Sequence, residues 1–159
     1  MAVGLGGWLP SIVHTYDIFK GIVLYGYGGQ RPAARNAIPS QNESFYVPDE
    51  TGTMLFYFDT WGRHSQTVDA LTGVRIYKFS YNPATRKLVT ITDRFNKETT
   101  IDHASNQITI TSPRGEITTL NLNSEQMLSS VVNRNSETFN MTYSSEKLLL
   151  TFQKPGGLR

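Results

Sequence analysis

The chain has 159 residues, 38% of them hydrophobic, which suits about one domain with an ordinary water-soluble core. Its 15 basic and 13 acidic side chains leave a formal charge of +2 and are scattered singly, unlike the one-sided basic face of a nucleic-acid binder. The absence of cysteine excludes disulfides and thiolate metal sites, and no run of about 18 apolar residues is present to span a membrane.

In chain order, the sequence reads as three zones. Residues 1–29 are rich in glycine and aromatics, with Gly4, Gly6, Gly7, Gly21, Gly26, Gly28 and Gly29 set among Trp8, Tyr16, Phe19, Tyr25 and Tyr27. Ile22-Val-Leu-Tyr25 reads as a strand and Ile12-Val-His14 as a weaker one. The opening residues show neither the basic start nor the apolar stretch of a signal peptide. Residues 30–50 carry Pro32, Pro39 and Pro48 with Asn36 and Asn42, and read as a surface connection. Residues 51–159 are a repeat.

Within that repeat the apolar residues alternate with period two, as in Phe56 and Phe58, Tyr77, Phe79 and Tyr81, Leu120 and Leu122, and Phe139, Met141 and Tyr143. Such alternation turns one face of each strand to a core and the other to water. Returning strands read likewise at Leu88–Thr92, Gln107–Thr111 and Leu148–Phe152. Between them stand turn formers, Asp59-Thr-Trp-Gly62, Thr72-Gly73, Asn82-Pro83, Ser112-Pro-Arg-Gly115 and Pro155-Gly-Gly157. Strand ends at Phe58, Tyr81, Ile101, Leu122 and Tyr143 recur at 23, 20, 21 and 21 residues. Turns opening at Asp69, Asp93, Ser112, Asn133 and Lys154 keep a similar period. A period this short means supersecondary units sharing one core. The expected fold is all-β, an antiparallel meander of about ten strands as five β-hairpins in a curved open sheet, with a small N-terminal β segment.

The phrase Phe56-Tyr-Phe-Asp59-x-x-Gly62-Arg63, then Thr67-Val-Asp69-x-x-Thr-Gly73, resembles the YD repeat of the rearrangement-hotspot (RHS) proteins and teneurins. The likeness continues through Phe79-Ser-Tyr81-Asn82 with Lys87-Leu88, then Thr92-Asp93-Arg-Phe-Asn96, and through Ile101-Asp102 to Ser112-Pro113-x-Gly115. Leu5-Gly-Gly-Trp8, His14-x-Tyr16-Asp17 and Leu24-Tyr25-Gly26-x-Gly28 are similar to the segment upstream of the repeats in the same family. The resemblance implies a secreted or cell-surface polypeptide whose hairpins join into a wall. In bacterial relatives that wall encloses a toxic C-terminal domain, and in animal relatives it supports cell–cell adhesion. Longer members place a β-propeller ahead of the repeats, where this chain has only residues 30–50, and they carry many more units than five. The resemblance therefore implies the opening section of a shell, with further YD repeats as its partners.

Candidate chemistry is sparse. His14, His64 and His103 share no spacing that would join two on one strand face, and they are expected as solvent-facing or hydrogen-bonded turn residues. Asp59, Asp69, Asp93 and Asp102 recur at equivalent places and are expected to begin turns, accepting hydrogen bonds from backbone N–H groups ahead of them. Trp61 stands in a turn tip, as packing or as a possible partner contact. Asn42-Glu-Ser44 and Asn140-Met-Thr142 match the N-glycosylation pattern, the second inside an expected strand. No nucleophile elbow, phosphate loop or zinc motif is present, and neither catalysis nor a cofactor is expected.

The residues that carry the architecture are then Phe58, Tyr81, Ile101, Leu122 and Tyr143 as inward positions, Phe79 beside them, Arg63 after its turn, and Gly62, Gly73 and Gly115 at turns. A rival reading is a stand-alone module that binds a protein partner, or its own copy, along an exposed sheet edge.

Overall fold

The computed structural model describes residues 11–34, 36–37 and 44–156, and among them every regular element is a β-strand. They fall into two compact units that divide between Lys97 and Glu98.

The first unit opens with a three-stranded antiparallel sheet of β1 (Thr15–Asp17), β2 (Ile22–Leu24) and β3 (Gln30–Pro32). A second sheet follows in strict chain order: β4 (Asn36–Ala37), β5 (Phe45–Pro48), β6 (Met54–Phe58), β7 (His64–Asp69), β8 (Arg75–Tyr81) and β9 (Leu88–Asp93). Tyr16 and Val23 of the small sheet, with Tyr25 of its β2–β3 turn, bury themselves against Phe45, Val47, Phe56 and Phe58 of the large one. This aromatic core closes because alternate residues of β5 and β6 point to one face. Arg31 adds a polar tie, donating to the Tyr25 hydroxyl and to the Pro48 carbonyl.

The second unit is a meander of β10 (Glu98–His103), β11 (Gln107–Thr111), β12 (Ile117–Leu122), β13 (Leu128–Val132), β14 (Thr138–Tyr143) and β15 (Leu149–Gln153). Directly opposed residues share a face. Ile101↔Ile110, Ile108↔Leu120, Val131↔Phe139 and Met141↔Phe152 make one face apolar. Asp102↔Thr109, Asn121↔Ser130 and Thr142↔Thr151 make the other polar, with side-chain hydrogen bonds across the last two pairs.

The expected all-β meander is thus present, and residues 51–159 hold ten strands, β6 to β15. Three local expectations differ. The weak strand at Ile12–His14 starts later, at Thr15, because it is the Thr15–Asp17 backbone that pairs with β2. The stretch 30–50 is no bare connection: it carries β3, β4 and β5, and Phe45 and Val47 are core residues. Flanking prolines and asparagines hide this short alternation. Asp102 opens no turn; it lies exposed inside β10 opposite Thr109.

Candidate functional site

The repeated chemistry of this molecule lies in its turns. Six of them, opened by Asp59, Asp93, Ser112, Asn123, Asn133 and Ser144, share one geometry. In each, the opening residue exchanges backbone hydrogen bonds with the third and fourth residues after it. Its side-chain oxygen also accepts the N–H groups two and four residues ahead, as Asp59 Oδ1 does from Trp61 and Arg63. The same pair of bonds is made by Asp93, Ser112, Asn123, Asn133 and Ser144. The third residue after the opener is left-handed in all six: Gly62, Asn96, Gly115, Gln126, Ser136 and Lys147. Asp69 and Asn82 open turns one residue longer, with Gly73 and Arg86 left-handed instead. Hydrogen bonds from Thr72, backbone N–H first, hold the Asp69 carboxyl below the usual carboxylate range.

Tyrosines tie neighbouring hairpins. Tyr81, the last residue of β8, donates its hydroxyl to the His64 carbonyl at the start of β7, at 2.9 Å. Tyr143, the last of β14, does the same to Leu128 at the start of β13, at 2.8 Å. Burial, and then the Asp59 carboxylate, push the Tyr81 hydroxyl far above its ordinary range, so it remains a donor. The Arg63 guanidinium lies over the Tyr81 ring and pairs with Asp59 at 2.7 Å. Phe58, Phe79, Ile101 and Leu122 are buried, and Tyr143 is half-buried. Trp61 is 59% exposed, its ring covered on one side by Arg86 at 4.3 Å.

A comparison with family models matches residues 42–158 to the Teneurin YD-shell. The chain belongs to that family. A comparison with curated proteins finds no significant match. The turn openers and tyrosines each bond backbone groups at a hairpin end.

Sequence reasoning missed one constellation in this YD-shell chain. His14 and His64 are buried, 4% and 0% exposed, with rings stacked at 5.0 Å. His14 N–H donates to His64 Nδ1 at 3.2 Å, and Gly26 N–H donates to His14 Nδ1 at 3.1 Å. Each Nδ1 is thus an acceptor, which fixes both imidazoles as neutral with the proton on Nε2. His64 Nε2–H then donates to Thr67 Oγ1 at 3.1 Å. Burial depresses both, His14 to about 4 and His64 well below the ordinary value, with His14 adding to the latter. Of the expected solvent-facing or hydrogen-bonded turn histidines, these two are hydrogen-bonded but buried, because β1 reaches the β6–β7 turn: Tyr16 N–H bonds to the Gly62 carbonyl, and Thr15 bridges Arg63. Only tertiary structure joins residues so distant in sequence.

Other openings offer less. A groove of about 570 Å³ between the Asp69 and Asp93 turns is lined by Val74, Ile76, Tyr77 and Phe95. Of its polar groups, Asp69, Thr72 and Asp93 are engaged in turn bonds, and the Arg94 guanidinium lies over the Phe95 ring at 4.8 Å. Among the described residues no three His, Asp or Glu side chains converge as a metal would require, and no helix is long and apolar enough to cross a membrane. Trp8, the Leu5-Gly-Gly-Trp8 segment and the Asn42 acceptor lie outside the described residues, while Asn140 sits exposed in β14.

Proposed function

We propose that this chain is a non-enzymatic structural module: the opening section of an RHS-type YD wall that continues by further hairpins added along β15. The observation that carries this reading is β15 itself. Each strand between β10 and β15 is hydrogen-bonded on both sides, whereas among the described residues β15 pairs only with β14. All five of its residues are exposed, including Leu149, Leu150 and Phe152. An apolar strand with an unpaired row of N–H and C=O groups is a template for the next strand. The apolar face running from Ile101 to Phe152 would then be the inner wall surface.

In this reading residues 1–29 are an N-terminal segment, 30–50 a connection that also supplies a wall strand, and 51–159 the YD sheet proper. By likeness to its family the wall is secreted or displayed at a cell surface, where it encloses a C-terminal toxin or supports adhesion. The test is to express the chain extended by whatever coding sequence follows Arg159 in its genome. Amide exchange in Leu149–Gln153 should slow by about tenfold or more as a new strand covers the edge. Unchanged exchange in the extended protein, or a stop codon directly after Arg159, would overturn the reading.

A second reading has one observation in its favour. Leu148, Leu149, Leu150 and Phe152 form an exposed apolar edge that also suits a second copy or an extended peptide. Light scattering on the 159-residue chain separates the two, since a module that pairs with its own copy stops at a defined dimer, whereas an edge that serves the next hairpin gives weak association with no fixed stoichiometry.

A further inference from the structure

We infer that the β1–β3 sheet is held to the YD strands by an acid-labile latch, the buried His14–His64 pair, whose protonation releases the sheet. This inference is independent of what lies beyond β15.

The latch rests on geometry. The two rings stack at 5.0 Å, one from the segment leading into β1 and the other from the first residue of β7. One hydrogen bond crosses the junction, from the His14 backbone to His64 Nδ1, and a second, from Gly26 in the β2–β3 turn, holds the His14 ring in place from its own side. Both acceptors are Nδ1 atoms. A proton added to either Nδ1 sets one N–H against another, so the bond is replaced by a repulsion. A second proton places two positive charges in the same buried site.

The surroundings provide no counter-charge. His14 faces Tyr25, Tyr27, Phe56 and His64, and His64 faces Phe56, Phe58 and Phe79 with Thr67 on its Nε2. The titratable groups facing the pair are thus Tyr25 and Tyr27 from the β2–β3 turn, Tyr81 from β8 through the His64 carbonyl, and each other. The charged neighbours are cations already engaged: Arg31 with the Tyr25 hydroxyl, and Arg63 with Asp59. Among the described residues no carboxylate packs on either imidazole or bonds to its nitrogens.

The direction of the effect follows. A histidine held below its ordinary 6.5 favours the neutral folded form, so its contribution is complete above about pH 6.5. It is lost as pH falls toward about 4, where His14 takes up its proton. The other ties of the small sheet are Gly62 to Tyr16, Thr15 to Arg63 and Arg31 to Pro48, together with the packing of Tyr16, Val23 and Tyr25 on Phe45, Val47, Phe56 and Phe58, and release requires the buried charge to outweigh that core.

Amide exchange by mass spectrometry tests this on the full chain, in steps from about pH 7.5 to about pH 4, read as protection factors. Residues 11–34 should lose about tenfold or more protection over the lower part of that range, while β11–β14 keep theirs. Retained protection of 11–34 at the lowest pH overturns the latch. So does simultaneous loss in both regions, which is global acid unfolding. In the variant His14→Asn with His64→Asn, each amide oxygen stands near the former Nδ1 and cannot titrate, so the pH step should vanish. Its persistence would also overturn the proposal. Should that variant not fold, NMR titration of the wild-type imidazoles decides: a His14 that gains its proton near pH 6.5, with the sheet still protected, rules the latch out.

Discussion

At the scale of single residues, the six equivalent turns separate what a position requires from what it merely carries. The left-handed slot is filled by Gly62 and Gly115, but also by Asn96, Gln126, Ser136 and Lys147. A side chain there is therefore tolerated where space is open, as it is around Gly115. Gly62 differs, because a Cβ on it would lie 2.0 Å from the Tyr16 carbonyl oxygen. Gly62→Ala must push β1 away from the β6–β7 turn and should destabilise by about 3 kcal/mol or more, against about 1 kcal/mol for Gly115→Ala. Denaturant melts of the two variants decide; equal losses would mean that β1 does not depend on that approach. A similar contrast applies to the tyrosine ties. Tyr81→Phe keeps the ring but leaves the His64 carbonyl unpaired, and should cost about 1–2 kcal/mol. A melt within ~0.3 kcal/mol of wild type would show that water takes over that bond.

At the scale of elements, the turns explain which parts of the fold were legible. Period-two alternation marked β6, β8, β9, β11, β12, β14 and β15, and Asp or Ser followed by glycine marked turns at 59 and 112. Past Leu122 the phrase degrades because its left-handed residues are Gln126, Ser136 and Lys147, none of which signals a turn. Their openers Asn123, Asn133 and Ser144 still accept the same two N–H groups, so the chemistry persists after the motif has faded. The histidine latch was illegible for another reason: His14 and His64 meet through sheet packing, and local periodicity carries no information about which segments pack together. These degenerate slots also carry removable strain. A left-handed side chain costs about 1–2 kcal/mol, part of which glycine returns as unfolded-chain entropy. Gln126→Gly, Ser136→Gly and Lys147→Gly should each stabilise the second unit by about 0.5–1 kcal/mol, read as a shift in its denaturant midpoint with unchanged slope. A loss of stability in all three would show that side-chain contacts, such as Gln126 with Asn106, outweigh the backbone strain.

At the scale of the whole molecule, a meander is a structure that does not finish itself. Each hairpin covers the edge of the one before and leaves its own open, and the openness passes to β15. Natural sheets blunt such an edge with charge, proline or a short strand. Here Leu148, Leu149 and Leu150 occupy it, and charge appears only at Glu146, Lys147 and Lys154 beside it. A chain of these 159 residues alone should therefore associate through that edge as its concentration is raised. Replacing Leu148 and Leu150 together with Lys should shift sedimentation to monomer without lowering the melting temperature, since both residues are mostly exposed. The same substitutions in a longer chain should instead lower stability, because there the two leucines would lie beneath the next hairpin. Monomeric behaviour of the unmodified chain at every concentration would show that β15 is already covered, and with it the case for a growing wall would fail.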